Sequence, residues 1–226
     1  VPPAKTAKPV RSKAASPRAA GKDVEKEILA EATHLFAARG VEATSLQDVA
    51  DAVGVKKQSL LYHYASKDVL HRAVLEALLS RWNETLPRLL RAASREDRFD
   101  AILDETIGFF SEDPSRARLL LREALDRPAE MRTLLGEFVS PWLAVLSENI
   151  AKAQTAGVIR RDVDPEAYVV MVIHLVLGNV ATAGTVSTIA DKSRGTKVPE
   201  RVAREIKRMA RVALMNEPHA SARAAE

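Results

Sequence analysis

The chain contains no cysteine among its 226 residues. Disulfides, thiolate metal sites and cysteine nucleophiles are therefore excluded, and the composition is compatible with a reducing compartment. Aromatic residues are also scarce, at 4%, with three tyrosines and two tryptophans. No glycine-rich phosphate loop is found, the five histidines lack metal-ligand spacing, and the scattered acids form no obvious catalytic pair. These absences argue against an enzyme, so the expectation is no catalytic residue, no metal and no cofactor. The opening stretch, "VPPAKTAKPVRSKAASPRAAGK", has no apolar run and is not expected to act as a signal peptide.

What is present is enough for a sizeable core: 46% of residues are hydrophobic and 28% charged. The length fits one domain, or a small domain joined to a larger one. The formal charge of +4 is unevenly placed. Residues 1–22 hold Lys5, Lys8, Arg11, Lys13, Arg18 and Lys22 without an acid, so the remainder carries a formal −2. A segment so rich in Ala, Pro, Lys and Ser is expected to be disordered, as is 217–226. A solubilising leader and a nucleic-acid arm both suit the basic tail.

From Ala167 to Ala190 there is no Asp, Glu, Lys or Arg, and that length alone would admit a transmembrane helix. Its second half argues for protein packing instead, because Gly178, Asn179, Thr182, Gly184, Thr185, Ser187 and Thr188 are costly against lipid. No membrane association is expected.

Past Lys22 the periodicity turns helical. Ile28, Ala32, Leu35 and Phe36 repeat at i, i+4, i+7 and i+8, and Gly40 supplies a stop. Ser45 with Asp48 resembles a capping box, followed by the stripe Leu46, Val49, Ala50 and Val53 and a second stop at Gly54. A third short helix fits residues 57–64, with Leu60 and Tyr64 inward, and Ser66 can cap a long fourth helix from Lys67.

Three short helices with a glycine-bearing turn between the second and third describe a helix-turn-helix, whose second member enters the major groove of DNA. Base edges call for short polar side chains at the start of that helix, which Lys57, Gln58 and Ser59 supply. Phosphates call for flanking hydroxyl, imidazole and ammonium groups, which Lys56, Tyr62, His63 and Lys67 supply.

The stretch from about Val24 to Leu79, through "DVADAVGV", "SLLYHY" and "SKDVL", resembles the N-terminal domain of the TetR family of transcriptional regulators. The resemblance implies phosphate contacts at Tyr62, His63 and Lys67, with Thr44, Ser45 and Gln47 as further candidates at the start of the second helix. Leu61 stands where tyrosine is common, and Lys56 where serine is common.

The remaining helices are expected at about 67–92, 97–111, 114–126, 128–156, 165–190 and 198–215. Pro87 and Pro141 interrupt two of them. The stripe Met131, Leu135, Phe138, Trp142, Leu146, Ile150 runs through Pro141, which fits a kink or a break. In the family the last two helices usually pair with those of a second subunit, which would explain why residues 167–177 are apolar all round. By the same analogy a small-molecule effector pocket lies in the helical domain, with Trp82, Phe109, Phe110, Trp142, His174 and Asn179 as candidate lining. His174 suits a hydrogen-bonded core or dimer-interface position better than a ligand contact, since buried polar groups usually have structural partners. The basic set Arg201, Arg204, Lys207, Arg208 and Arg211 reads as a solvated face opposite Val202, Ile206 and Met209.

The combined expectation is an all-α chain. A basic tail (1–22) precedes a three-helix DNA-binding domain (23–70), which a long helix joins to a helical ligand-binding and dimerisation domain (71–216), ending in a second tail (217–226). Its expected role is that of a ligand-responsive, homodimeric, cytoplasmic repressor on a near-palindromic operator. The alternative is a helical interaction protein with a vestigial DNA-binding motif, supported by Leu61 and the −2 balance outside the tail.

Overall fold

The computed structural model describes residues 17–92, 98–188 and 198–216. They form α1 (Pro17–Arg39), α2 (Leu46–Val53), α3 (Lys57–His63), α4 (Lys67–Ala92), α5 (Arg98–Glu112), α6 (Pro114–Asp126), α7 (Pro128–Leu134), α8 (Ser140–Thr155), α9 (Pro165–Val186) and α10 (Val198–Leu214). A π-helical turn, Leu135–Val139, joins α7 to α8. The expected all-α class holds among the described residues, where the only extended pairing is an isolated bridge between Ile159 and Met215.

The buried apolar side chains form two clusters. The first gathers Ile28, Phe36, Val49, Leu60, Leu70 and Val74, and extends to Leu119 of α6 and to Met131 and Leu134 of α7. The second holds Phe109, Phe110, Ile150, Tyr168, Val176 and Ile206. The boundary drawn at residue 70 therefore does not fall at a gap in packing: α6 and α7 seal the core of the first three helices. Tyr168 is tied within the second core, its hydroxyl donating to the Ala210 carbonyl at 2.7 Å.

Three sequence expectations are corrected here. Residues 17–22, expected to be disordered, are the first turns of α1. Pro17 is at home at a helix start, and the alanines after it extend a helix whose anchor, Ile28 and Phe36, lies further along. The parts of the expected tails at 1–16 and 217–226 lie outside the described residues. Around Pro141 the helix neither stops nor simply kinks. Pro141 lies in the first turn of α8, directly after the π turn, which absorbs the backbone hydrogen bond a proline cannot make. The helix expected to reach residue 190 ends at Val186.

α9 is long and apolar enough to cross a membrane by length and composition alone. In the fold it packs against α5, α6, α8 and α10.

Candidate nucleic-acid interface

The geometry of α2 and α3 follows from their ends. Ser45 Oγ accepts from the Asp48 amide at 3.1 Å while the Asp48 carboxylate accepts from the Ser45 amide at 2.7 Å, a complete capping box. The Ser45 hydroxyl bonds to the same carboxylate, and these hydrogen bonds hold the Asp48 carboxyl below the usual carboxylate range. Gly54 ends the helix at φ +77°, a left-handed conformation that lets the chain reverse into α3 within two residues. Leu60 and Tyr64 anchor α3 inward, and burial together with Glu25 pushes the Tyr64 phenol up to about 12.

With that side fixed, Lys56, Lys57, Gln58, Ser59, Leu61 and Tyr62 are exposed and His63 is half-buried. Tyr62 is 87% exposed, with its ring edge-to-face on His63 at 5.4 Å between centroids. So large an aromatic held in water has no packing reason to be there. Two cations, an amide, hydroxyls and an imidazole thus share one convex helical surface, the chemistry that phosphates and base edges accept.

The other DNA candidates are placed differently. Thr44 is 1% exposed and its hydroxyl donates to the Gly40 carbonyl at 2.8 Å, so it fastens the α1–α2 turn and cannot meet DNA. Gln47 is exposed, but its amide donates to Asp51 at 2.7 Å. The Lys67 ammonium turns inward, donating to the carbonyls of Val41 at 2.9 Å and Glu42 at 3.3 Å, an internal tether at the position expected to meet phosphate. The Val41 carbonyl also accepts from the Thr44 amide at 3.2 Å, and the Glu42 carboxylate lies 3.7 Å from the ammonium, so the turn gathers acceptors around the lysine.

The five effector-pocket candidates with described side chains do not converge. Phe109 and Phe110 are core residues in edge-to-face contact at 4.9 Å, and the guanidiniums of Arg116 and Arg81 lie over Phe109 at 4.5 and 4.8 Å. Trp142 packs against the same core from α8. His174 and Asn179 line a separate open groove of about 400 Å³ between α9 and α10, with Leu175, Val202, Ile206 and Met209. His174 Nδ1 is 2.7 Å from the Val170 carbonyl. The Trp82 side chain lies outside the described residues. On α10 the basic face is less solvated than expected, since Arg211 and Lys207 pair with Asp100 and Asp104 of α5.

Sequence reasoning passed over four residues that join the DNA-binding helices to the rest. His71 of α4 and Glu123 of α6 are 3% and 2% exposed, with Nε2 and Oε2 3.0 Å apart. Their alignment is not that of a hydrogen bond, and neither atom has a hydrogen-bond partner among the described residues. Arg127, between α6 and α7, lies 4.0 Å from Glu123 and pairs with Glu42 of the α1–α2 turn. A signal existed: Glu123 falls on the apolar stripe of Leu119 and Leu120, where an acid needs a partner.

Residues 28–74 match the model "Bacterial regulatory proteins, tetR family", and residues 96–210 match "Tetracyclin repressor-like, C-terminal domain". The HTH-type transcriptional repressor KstR2 of Rhodococcus jostii (strain RHA1) is 28% identical over 151 residues, 62% of this chain and 70% of that one. The HTH-type transcriptional repressor DhaR of Mycobacterium sp. (strain GP1) is 28% identical over 155 residues, 63% of this chain and 73% of that one. Among solved structures, AibR in complex with isovaleryl coenzyme A and operator DNA superposes with a TM-score of 0.63 at 23% identity, covering 82% of this chain and 97% of that one. The vestigial-motif alternative is not favoured.

Proposed function

Because the chain belongs to the tetR family of bacterial transcriptional regulators, we propose that it represses transcription as a homodimer, occupying a near-palindromic operator until a small-molecule effector releases it. The observation that carries this reading is the outward row Lys56, Lys57, Gln58, Ser59, Tyr62 and His63 on α3, held rigid from behind by Leu60 and Tyr64. Lys57, Gln58 and Ser59 start the helix and face bases; Lys56, Tyr62 and His63 flank them and face phosphates.

Two copies are needed because one short helix reads only a few base pairs. The exposed apolar residues of α9 and α10, Met171, Leu175, Met209 and Val212 among them, supply a face for the second copy. Half-sites then match the spacing of the two reading helices, about 34 to 36 Å or a multiple of it. Release requires an effector that binds better to a conformation in which the spacing no longer fits. The AibR complex, with ligand and operator together, supports the idea that this fold serves both partners at once. Such a role places the protein in the cytoplasm as a binding protein without a catalytic step.

The test is selection of bound fragments from the source genome by the purified protein. Enrichment of a short inverted repeat is the expected result. Recovery of no sequence above background, with a folded dimer in hand, would overturn the reading.

A further inference from the structure

The contact between α6 and the DNA-binding helices carries more polar chemistry than packing alone requires. At its start, α6 meets α1 through Asp113, whose carboxylate is 3.3 Å from His34 Nε2. At its end, Glu123 faces His71 in a site closed to water, with the Phe36 and His71 rings in edge-to-face contact at 5.7 Å between centroids. Arg127 stands over that site and reaches on to Glu42, in the turn whose carbonyls hold Lys67.

A buried carboxylate left without its partner is strongly unfavourable, so intermediate positions of α6 along α4 are disfavoured. We infer that the His71–Glu123 pair, guarded by Arg127, is a register lock between α6 and α4: it admits one arrangement of the two helices, so a displacement of α6 reaches α4 and α3 as a step.

This deepens the reading of the chain as an operator-binding regulator and rests on it. Linkage makes the lock accessible without an effector in hand, because whatever α6 does to DNA binding, bound DNA does to α6. The experiment is amide hydrogen exchange across residues 115–134 of the full chain, with and without the operator fragment recovered by genomic selection. In the unaltered protein, operator binding is expected to change exchange rates there at least tenfold.

The variant His71→Leu with Glu123→Leu replaces the pair by apolar groups, a change that buried ion pairs often tolerate. It is expected to melt no earlier, still bind operator, and show less than a twofold change at 115–134. Should that variant fail to fold, Glu123→Gln keeps the shape and replaces the carboxyl by an amide, and a response reduced at least threefold is expected. An unaltered protein whose α6 ignores operator, or a variant with an undiminished response, overturns the lock alone. Failure of the unaltered protein to bind any DNA sinks the regulator reading with it.

Discussion

The ammonium of Lys67 donates to the carbonyl of Val41 at 2.9 Å, joining the first residue of α4 to the turn that ends α1. A side chain that by position flanks the reading helix is thereby spent on holding the domain together. Lys67→Met should lower the unfolding free energy by about 1 kcal/mol, somewhat less than the roughly 1.5 to 3 kcal/mol of a hydrogen bond to a charged group, since the site is half-exposed. Urea melts with an unchanged m-value check it. An unaltered midpoint would return Lys67 to the phosphate role.

Leu61 is 37% exposed beside Tyr62, so it is not a core residue of α3. Leu61→Tyr should add a phosphate hydrogen bond of about 0.5 to 1.5 kcal/mol, roughly two- to twelve-fold in affinity. The gain should appear on operator and random DNA alike, because phosphates carry no base identity. Gln58→Ala should instead erode the preference for operator. Fluorescence anisotropy on both DNAs separates the two, and weaker binding by a folded Leu61→Tyr would show α3 to be oriented differently on DNA.

Leu175 lies in the α9–α10 groove and is 37% exposed in a single protomer. An arginine there is therefore tolerated by the protomer and not by a dimer that buries it uncompensated. Leu175→Arg should sediment as a folded monomer and lose operator affinity. A stable dimer with full DNA binding would place the subunit interface elsewhere.

Stability at alkaline pH should report Tyr64. Its phenol is raised from 10.0 to about 12 in the folded chain, so folding favours the neutral form. That contribution is complete below pH 10 and fades toward pH 12 as the unfolded chain ionises. Tyr64→Phe should show a shallower loss of urea midpoint across that window, with a residual slope because burial raises Tyr168 too. Identical slopes would mean that Tyr64 is solvated in the folded protein.

What could be read from the sequence was local. Ser45, Asp48 and Gly54 act within a turn of one another, so the boundaries of α2 were open to inspection, as was the inward pairing of Leu60 with Tyr64. Contacts set by the tertiary fold were not. Lys67 meets Val41 across 26 positions, and nothing in either neighbourhood announces it. Thr44 looks like a surface threonine until the α1–α2 turn closes over it. The effector candidates dispersed because α9 is apolar on every side, and no periodicity tells which face meets α10 and which meets α6.

The π turn hides an extra residue. It is equivalent to one residue spliced into a continuous helix and taken up locally, so the rotation of about 100° that residue would add is cancelled and everything downstream keeps its phase. Upstream of it Met131 and Leu134, with Phe138 inside the turn, pack on the first core; downstream, Trp142, Leu146 and Ile150 pack on the second. Gly136, inside the turn, is exposed, and a Cβ added there meets nothing within 4 Å. Exchanging Gly136 for alanine should stabilise the helix by about 0.5 to 1 kcal/mol, and deleting it should let the turn close into ordinary α-helix with α8 still on its core. At this spot the chain carries one residue more than a continuous helix needs, and a solvent-facing glycine is dispensable both as a side chain and as a spacer.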